Sequence, residues 1–240
     1  MTRRILDWDG NYNVRDLGGL PVAGGGTTRS GEIVRSAAAF QLTEAGWAAA
    51  HAYGIRTVVD LMNPREYAED THPRPADIAT IRVPLDNEDD TEFWAPLIKS
   101  GQWGTAIYYR PFLERYPETV AAVVTAIAAA EPGGVLFHCG RGQDRTGLIS
   151  MVLLALAGVQ ADAIADDYDL CKAPETVRLR AAHGQADDAD QVRQILVLAG
   201  TTNRDAIVET LAAIDIDTYL REAGNTRAER DSLRRRLIAG

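Results

Sequence analysis

The sequence predicts an α/β fold, a central sheet flanked by helices, with a helical C-terminal extension. Three observations carry that reading. Short apolar or β-branched runs alternate with alanine-rich helical stretches through the first 160 residues. One of these runs, Val135-Leu136-Phe137, leads through a glycine-containing loop directly into an apolar helix. Beyond Ala161 every periodic segment reads as helix.

The elements follow in order. The first forty residues are irregular, with turns at Gly18-Gly19 and Gly24-Gly25-Gly26. A short extended piece starts at Thr27-Thr28 and leads to Ile33-Val34. Thr43 is placed to cap a helix over Glu44 to Ala52, without the reciprocal capping residue, because Gly46 stands three positions on. Gly54 ends that helix, and Thr57 to Leu61 is a β-branched strand closed by Asn63-Pro64. A further strand is expected over Thr80 to Leu85, beside Asp86, followed by mixed sequence with short helices from Trp94 to Tyr109. Pro117 to Ala130 is helical, and Glu131-Pro132-Gly133-Gly134 stops it before the strand Val135 to Phe137. After the loop a helix is expected from about Arg145 to Leu156. The extension then offers helices at Ala161 to Leu170, Asp190 to Leu198, Arg204 to Ile214, Asp217 to Glu222 and Arg227 to Ile238, the last with Asn225 as a candidate cap. No repeat or low-complexity linker divides the chain. The expectation is a single domain over residues 1–240, with 161–240 a mainly helical extension that either packs plainly or forms a lid.

Composition narrows the function classes. The chain has 240 residues, 46% of them hydrophobic, enough to bury a full core. A formal net charge of -9 argues against a broad nucleic-acid surface. The N-terminus turns acidic at Asp7 and Asp9, too soon for the apolar core of a leader. The longest apolar stretch, Leu148 to Val159, is too short to span a bilayer. Two cysteines, Cys139 and Cys171, do not make a disulfide framework, so a reducing cytoplasm is the expected setting. No histidine, cysteine and acid cluster has metal-ligand spacing, so neither metal nor cofactor is expected. The run Arg234-Arg235-Arg236 reads as a solvated helix face.

The chemistry concentrates in His138-Cys139-Gly140-Arg141-Gly142-Gln143-Asp144-Arg145-Thr146-Gly147. An apolar strand delivers Cys139 to the carboxyl edge of a sheet, where α/β proteins bind ligands. Gly140 and Gly142 allow a tight curl in which successive N–H groups face one anion, and the following helix adds the positive end of its dipole. Arg145, six positions after Cys139, can fold back and bind two oxygens through its planar fork. The same positive environment favours the thiolate, and Thr146 can donate its hydroxyl to it. His138 is expected to organise the loop rather than act as a base. The bland alternative is a buried cysteine before a turn, but a lone cysteine does not account for Gly142, Arg145, Thr146 and Gly147 at these offsets. A Walker-type nucleotide loop lacks its lysine here.

At these residues the chain resembles the cysteine-dependent tyrosine and dual-specificity phosphatases, whose signature is His-Cys, five residues, Arg, then Ser or Thr. More narrowly it is similar to the bacterial tyrosine/serine phosphatases with an Asp-Arg-Thr-Gly ending, some of them active on phosphoinositides. The resemblance runs nearly the whole chain. It includes Asn13-Val14-Arg15-Asp16-Leu17-Gly18-Gly19, Gly31-Glu32-Ile33-Val34-Arg35-Ser36, Gly54 to Leu61, Val83-Pro84-Leu85, Asp166-Asp167-Tyr168, Tyr219-Leu220 and the helix over Leu233 to Leu237. It implies a tyrosine-phosphatase-like fold, attack by Cys139 on phosphorus, a phosphocysteine intermediate, and stabilisation of the phosphoryl group by Arg145. It implies Asp144 as the acid that protonates the leaving oxygen. Helix capping is the alternative role for Asp144, and Asp86 is the reserve acid.

Phosphate contacts are expected from Gly140, Arg141, Gly142, Gln143, Asp144 and Arg145, and support from His138, Arg15 and Asp16. For Arg15 and Asp16 an active-site wall and a buried structural pair remain open. Tyr12, Trp94 and Tyr109 are candidates for stacking on an aromatic ester, or for packing. Three departures from the subgroup stand out: Arg141 and Gln143 where alanine and lysine are usual, and Met62 where an arginine commonly follows Asp-Leu. The expected substrate is a phosphorylated protein, by the protein-tyrosine or dual-specificity reaction. The alternatives are a phosphoinositide or small-metabolite phosphatase, a catalytically inactive phosphate-binding module, and a sulfur- or arsenate-transfer enzyme.

Overall fold

The computed structural model describes residues 4–186 and 188–238, so the start of the acidic N-terminal stretch lies outside the described residues. Its sheet contains β1 (Arg15–Asp16), β2 (Ile33–Ser36), β3 (Ile55–Asp60), β4 (Ala79–Arg82) and β5 (Gly134–His138), in the order β1-β2-β5-β3-β4. β2, β5, β3 and β4 run parallel, and only β1 pairs antiparallel, with β2. The α-helices are α1 (Glu44–Ala52), α2 (Thr91–Ser100), α3 (Tyr109–Arg115), α4 (Pro117–Ala128), α5 (Asp144–Leu156), α6 (Ala161–Asp169), α7 (Pro174–Ala182), α8 (Ala189–Ala199), α9 (Asn203–Ala213), α10 (Ile216–Glu222) and α11 (Arg227–Leu237).

Strand alternation builds the layers. Ile33, Val59, Val135 and Phe137 face the larger core, which α4, α5 and α11 cover with residues such as Val124, Val152 and Leu233. Val34, Val58 and Leu136 face the other side, where Trp47 of α1 seals a smaller core. α5 is buried on all sides, which is why its sequence is apolar all round and carries no amphipathic stripe. Strand β5 is central, and His138 at its carboxyl end is flanked in register by Ser36 and Asp60. The loop that follows therefore emerges between two parallel neighbours, in the crevice where such sheets hold ligands.

Local chemistry explains most boundaries. Thr43 accepts a hydrogen bond from the Gly46 N–H at 3.1 Å, as its capping position requires. A side chain at position 46 would come within 2.1 Å of the Asp9 carbonyl, so glycine replaces the capping-box residue for reasons of contact. β4 stops at Arg82, short of the expected Leu85, although the Val83 and Leu85 N–H groups still donate to the Asp60 and Leu61 carbonyls. Pro84 between them is tolerated because its nitrogen faces the open edge of the sheet. α7 was not foreseen; it starts with Pro174 in its first turn. Asn225 does not cap α11. Thr226 does so, in a capping box with Glu229, while the Asn225 amide donates to the Ala121 carbonyl and Thr125. Among the described residues no helix is long and apolar enough to cross a membrane.

Candidate active site

The loop from His138 to Thr146 takes its shape from contacts on its outer side. The Gly140 carbonyl accepts from the Ala38 N–H at 3.1 Å. The Arg141 carbonyl accepts from the Asn13 amide at 3.1 Å, and the Gly142 carbonyl from Asn13 at 2.9 Å and Arg35 at 2.8 Å. A trans peptide aims its N–H opposite to its carbonyl. With three successive carbonyls tied outward, the N–H groups of Arg141, Gly142 and Gln143 turn the other way, towards the inside of the curl, as an anion cradle requires. Gly142 makes the curl possible: its φ is +65°, and a Cβ there would lie 2.3 Å from the Ser36 carbonyl oxygen. Gly140 has no such need, since a Cβ there meets nothing within 4 Å, so the expected requirement for both glycines reduces to Gly142.

Cys139 is 3% exposed, and the Thr146 hydroxyl donates to its Sγ at 3.1 Å. Both cysteines are free and buried. Thr146 stands in the first turn of α5, so the sulfur also faces the positive end of that helix. Gly147 has a packing reason. A Cβ there would meet the Tyr109 hydroxyl at 2.3 Å and the Tyr168 ring at 3.0 Å, and that hydroxyl donates to the Asp144 carbonyl at 2.9 Å. His138 is buried; burial pushes its imidazole below the usual value, against the pull of Asp60 and of the Cys139 backbone. Its Nδ1 lies 3.9 Å from Asp60, too far for a hydrogen bond.

Beneath the loop lies a buried charge cluster that takes in Arg15, expected as a supporting residue, together with Arg4, Arg35 and Asp167. Asp167, 1% exposed, receives Arg35 Nη1 at 3.0 Å, Arg15 Nε at 3.4 Å and Arg4. Burial pushes the Asp167 carboxyl up, but the three guanidinium groups outweigh it and hold it well below the usual carboxylate range. Arg15 also donates to the Asp167 carbonyl, to Asn13 and to the Cys171 sulfur at 3.3 Å. Arg15 and Asp16 are therefore not a pair with each other. Asp16 accepts from the Gly18 and Gly31 N–H groups, each at 2.7 Å, and from the Tyr53 hydroxyl, which fixes the turns around β1. Met62, at the third departure, is 2% exposed and packs in the larger core.

At the mouth, Arg145 is held from two sides. Its Nη1 and Nη2 bind both Glu66 oxygens at 2.6 and 2.7 Å, and Nε lies 3.4 Å from Asp86. Burial disfavours the Arg145 cation, but Glu66, Cys139 and Asp86 more than reverse this, so its pKa is raised. Asp86 is pushed up to about 6 by burial, against Arg145 and with help from Glu66, Asp144 and Glu88. Asp144 is likewise pushed up to about 6 by burial, against Arg141 and Arg145. One oxygen of each carboxyl is buried without a hydrogen-bond partner. Glu66 was not singled out from the sequence. It closes the short 3₁₀ turn Pro64–Glu66, where its side chain accepts the Asn63 N–H at 2.9 Å, so a capping role already accounts for it locally.

Of the two unusual loop residues, Arg141 is engaged outside the loop. Arg141 reaches Asp188 at 2.7 Å, tying the loop to the segment before α8, and Arg180 approaches the same carboxylate at 3.4 Å. Gln143 is 5% exposed. Of the three aromatic candidates, Tyr12 and Tyr109 are buried, and Tyr12 meets the His183 ring at 5.2 Å. Only Trp94 lines the cavity that opens at Arg145.

The model of the tyrosine phosphatase family matches residues 6–239. Among curated proteins, the chain is 28% identical to the triple specificity protein phosphatase PtpB of Mycobacterium tuberculosis over 280 aligned positions, covering 98% of this chain and 99% of that one. It is 30% identical over 172 residues to a Cupriavidus necator protein whose name assigns it provisionally to the tyrosine-protein phosphatases, and 31% identical over 168 residues to a tyrosine-protein phosphatase of Nostoc commune. Those matches cover 69% and 66% of this chain but only 62% and 57% of the relatives.

Proposed function

The chain belongs to the tyrosine phosphatase family, and on that premise we propose that it hydrolyses phosphomonoesters, with phosphorylated protein as the leading substrate class, through a phosphocysteine intermediate. The observation that carries the reading is the Thr146 hydroxyl on Cys139 Sγ at 3.1 Å, at the base of a curl whose carbonyls are tied outward. Cys139 thiolate attacks phosphorus and the ester P–O bond breaks. Protonated Asp144 gives its proton to the departing oxygen. Water then attacks the phosphocysteine, Asp144 takes the proton back, and the thiolate leaves with Thr146 steadying it. Backbone N–H groups and Arg145 hold the phosphoryl oxygens throughout. Arg15 acts through the underside cluster, His138 by filling its buried place behind the loop.

Asp144 is proposed as the acid because it sits in the loop itself, and its raised pKa extends the protonated form to about pH 6. Asp86 shares that property and remains the reserve. Residues 1–240 are read as one domain, supported by Leu233 and Leu237 of α11 in the main core and by Arg141 on Asp188. A cytoplasmic setting is supported by the two free thiols. The test is a substrate profile over phosphotyrosine, phosphoserine/threonine, phosphoinositide and small metabolites, with Cys139→Ser as control. Phosphoryl label trapped on the wild-type chain and absent from Cys139→Ser is the expected result; undiminished turnover by Cys139→Ser rules out the nucleophile.

A further inference from the structure

The cavity that opens at Arg145 has a volume of about 410 Å³, and its chemistry differs from that of the loop. Its lining combines Glu66, Asp86 and Glu88 with Trp94, Ile98 and Trp103. Ile98 and Trp103 leave 60% and 50% of their surface in solvent, a large apolar exposure for side chains beside a polar site. The Trp94 indole N–H donates to the Asn87 carbonyl at 2.8 Å, which fixes the ring in place. Against three carboxyl groups the cavity offers one cation, Arg145, and Glu66 already binds two of its nitrogens.

Charge balance follows directly. Once the loop holds a phosphoryl dianion, Arg145 is shared with it, and Glu66 and Glu88 leave the adjoining cavity negative. A second anionic group entering there is repelled, whereas a lysine or arginine is attracted and can lay its aliphatic stem and charge along an indole. Within the loop, the other basic side chain is engaged elsewhere. Arg141 is neutralised by Asp188 at 2.7 Å, and Gln143 is buried and uncharged. The chain's net charge of -9 steers encounters in the same direction.

We propose that this cavity selects phosphotyrosyl protein segments with basic residues directly flanking the phosphotyrosine, the aryl and aliphatic parts lying on Trp94 and Trp103 and the cations on Glu88 and Glu66. The proposal rests on the phosphatase reading above and names its substrate class.

The experiment compares two synthetic phosphotyrosyl peptides, identical except for two flanking arginines or two flanking glutamates, with para-nitrophenyl phosphate and soluble inositol trisphosphate. The basic peptide should exceed the acidic one in kcat/KM by about tenfold at low ionic strength, the ratio shrinking as salt is added. Glu88→Lys should cut that ratio about threefold or more, the two peptides being compared within the variant. Trp103→Ala should lower kcat/KM for both peptides. Equal rates on the two peptides, a ratio indifferent to Glu88→Lys, or faster turnover of inositol trisphosphate than of the basic peptide overturns the proposal. The Cys139→Ser chain supplies an independent readout, since its calorimetric affinities for the two peptides should show the same order. If para-nitrophenyl phosphate is not turned over by the wild type, the enzymatic reading fails, while the affinity order still decides the preference.

Discussion

The underside and the mouth of the loop are both built from arginine and carboxylate, and they use them in opposite ways. Underneath, Arg4, Arg15 and Arg35 converge on the single carboxylate of Asp167, all but Arg4 fully buried. At the mouth one guanidinium, Arg145, is shared between Glu66 and Asp86 and borders an open cavity. The underside thus has cations in excess and a carboxyl group driven far down; the mouth has carboxyl groups in excess and one of them, Asp86, driven up to about 6. A sealed cationic excess supplies a constant field behind the anion site and needs no partner to arrive. An open anionic excess around Arg145 is an arrangement that, on the proposed mechanism, an incoming phosphoryl group must rearrange. The first is scaffold, the second is a switch of charge partners.

If that contrast is right, the two regions fail differently. Arg145→Ala should reduce kcat/KM on para-nitrophenyl phosphate by about 10³-fold or more, through loss of its charged hydrogen bonds to the transferring group, with little change in Tm. Asp167→Asn should do the reverse. It leaves buried guanidinium groups uncompensated, at a cost of about 3–5 kcal/mol of folding stability, read as a lowered denaturant midpoint. A large Tm loss from Arg145→Ala, or none from Asp167→Asn, would break the division between scaffold and mouth.

Next in size come the two raised carboxyl groups. A general acid works only while protonated, and a pKa near 6 for Asp144 places the loss of that form as pH rises through about 6. Turnover of a phosphoserine peptide, whose leaving group needs the proton, should therefore fall above that pH. Asp144→Asn should remove this descending limb and slow the peptide by about 10²-fold, while para-nitrophenyl phosphate, with its good leaving group, slows far less. If Asp86→Asn produces that pattern instead, Asp86 is the acid.

The scaffold half of this contrast was harder to read from sequence than the loop. The loop announces itself because strand, glycine, arginine and helix fall within ten residues, and local chemistry fixes their meaning. The layers were equally legible, since alternation in Ile33-Val34 and Val135-Leu136-Phe137 gives both faces of the sheet. The Asp167 cluster joins positions more than 130 residues apart, and nothing local distinguishes Arg35 in a strand or Asp167 in a helix from ordinary surface charges. Glu66 was masked differently, its capping bond to Asn63 being reason enough for a glutamate there. α7 was missed because its sequence lacks an apolar stripe, and among its residues only Arg180 is buried.

Glu66 gives the smallest effect and the sharpest test of the mouth. In the free protein it binds the Nη1 and Nη2 edge of Arg145, leaving Nε towards Asp86. If Glu66 only competes with the phosphoryl group, Glu66→Gln should tighten inhibition by inorganic phosphate about threefold and leave kcat unchanged. If it also aims the guanidinium, kcat should fall by about tenfold while phosphate binding still tightens, since aim matters most in the transition state. The second result is expected, because the two bonds are short, charged and parallel, a geometry that orients as well as attracts. Weaker phosphate inhibition in Glu66→Gln would mean that the carboxylate helps the anion bind, and the mouth would then resemble the underside after all.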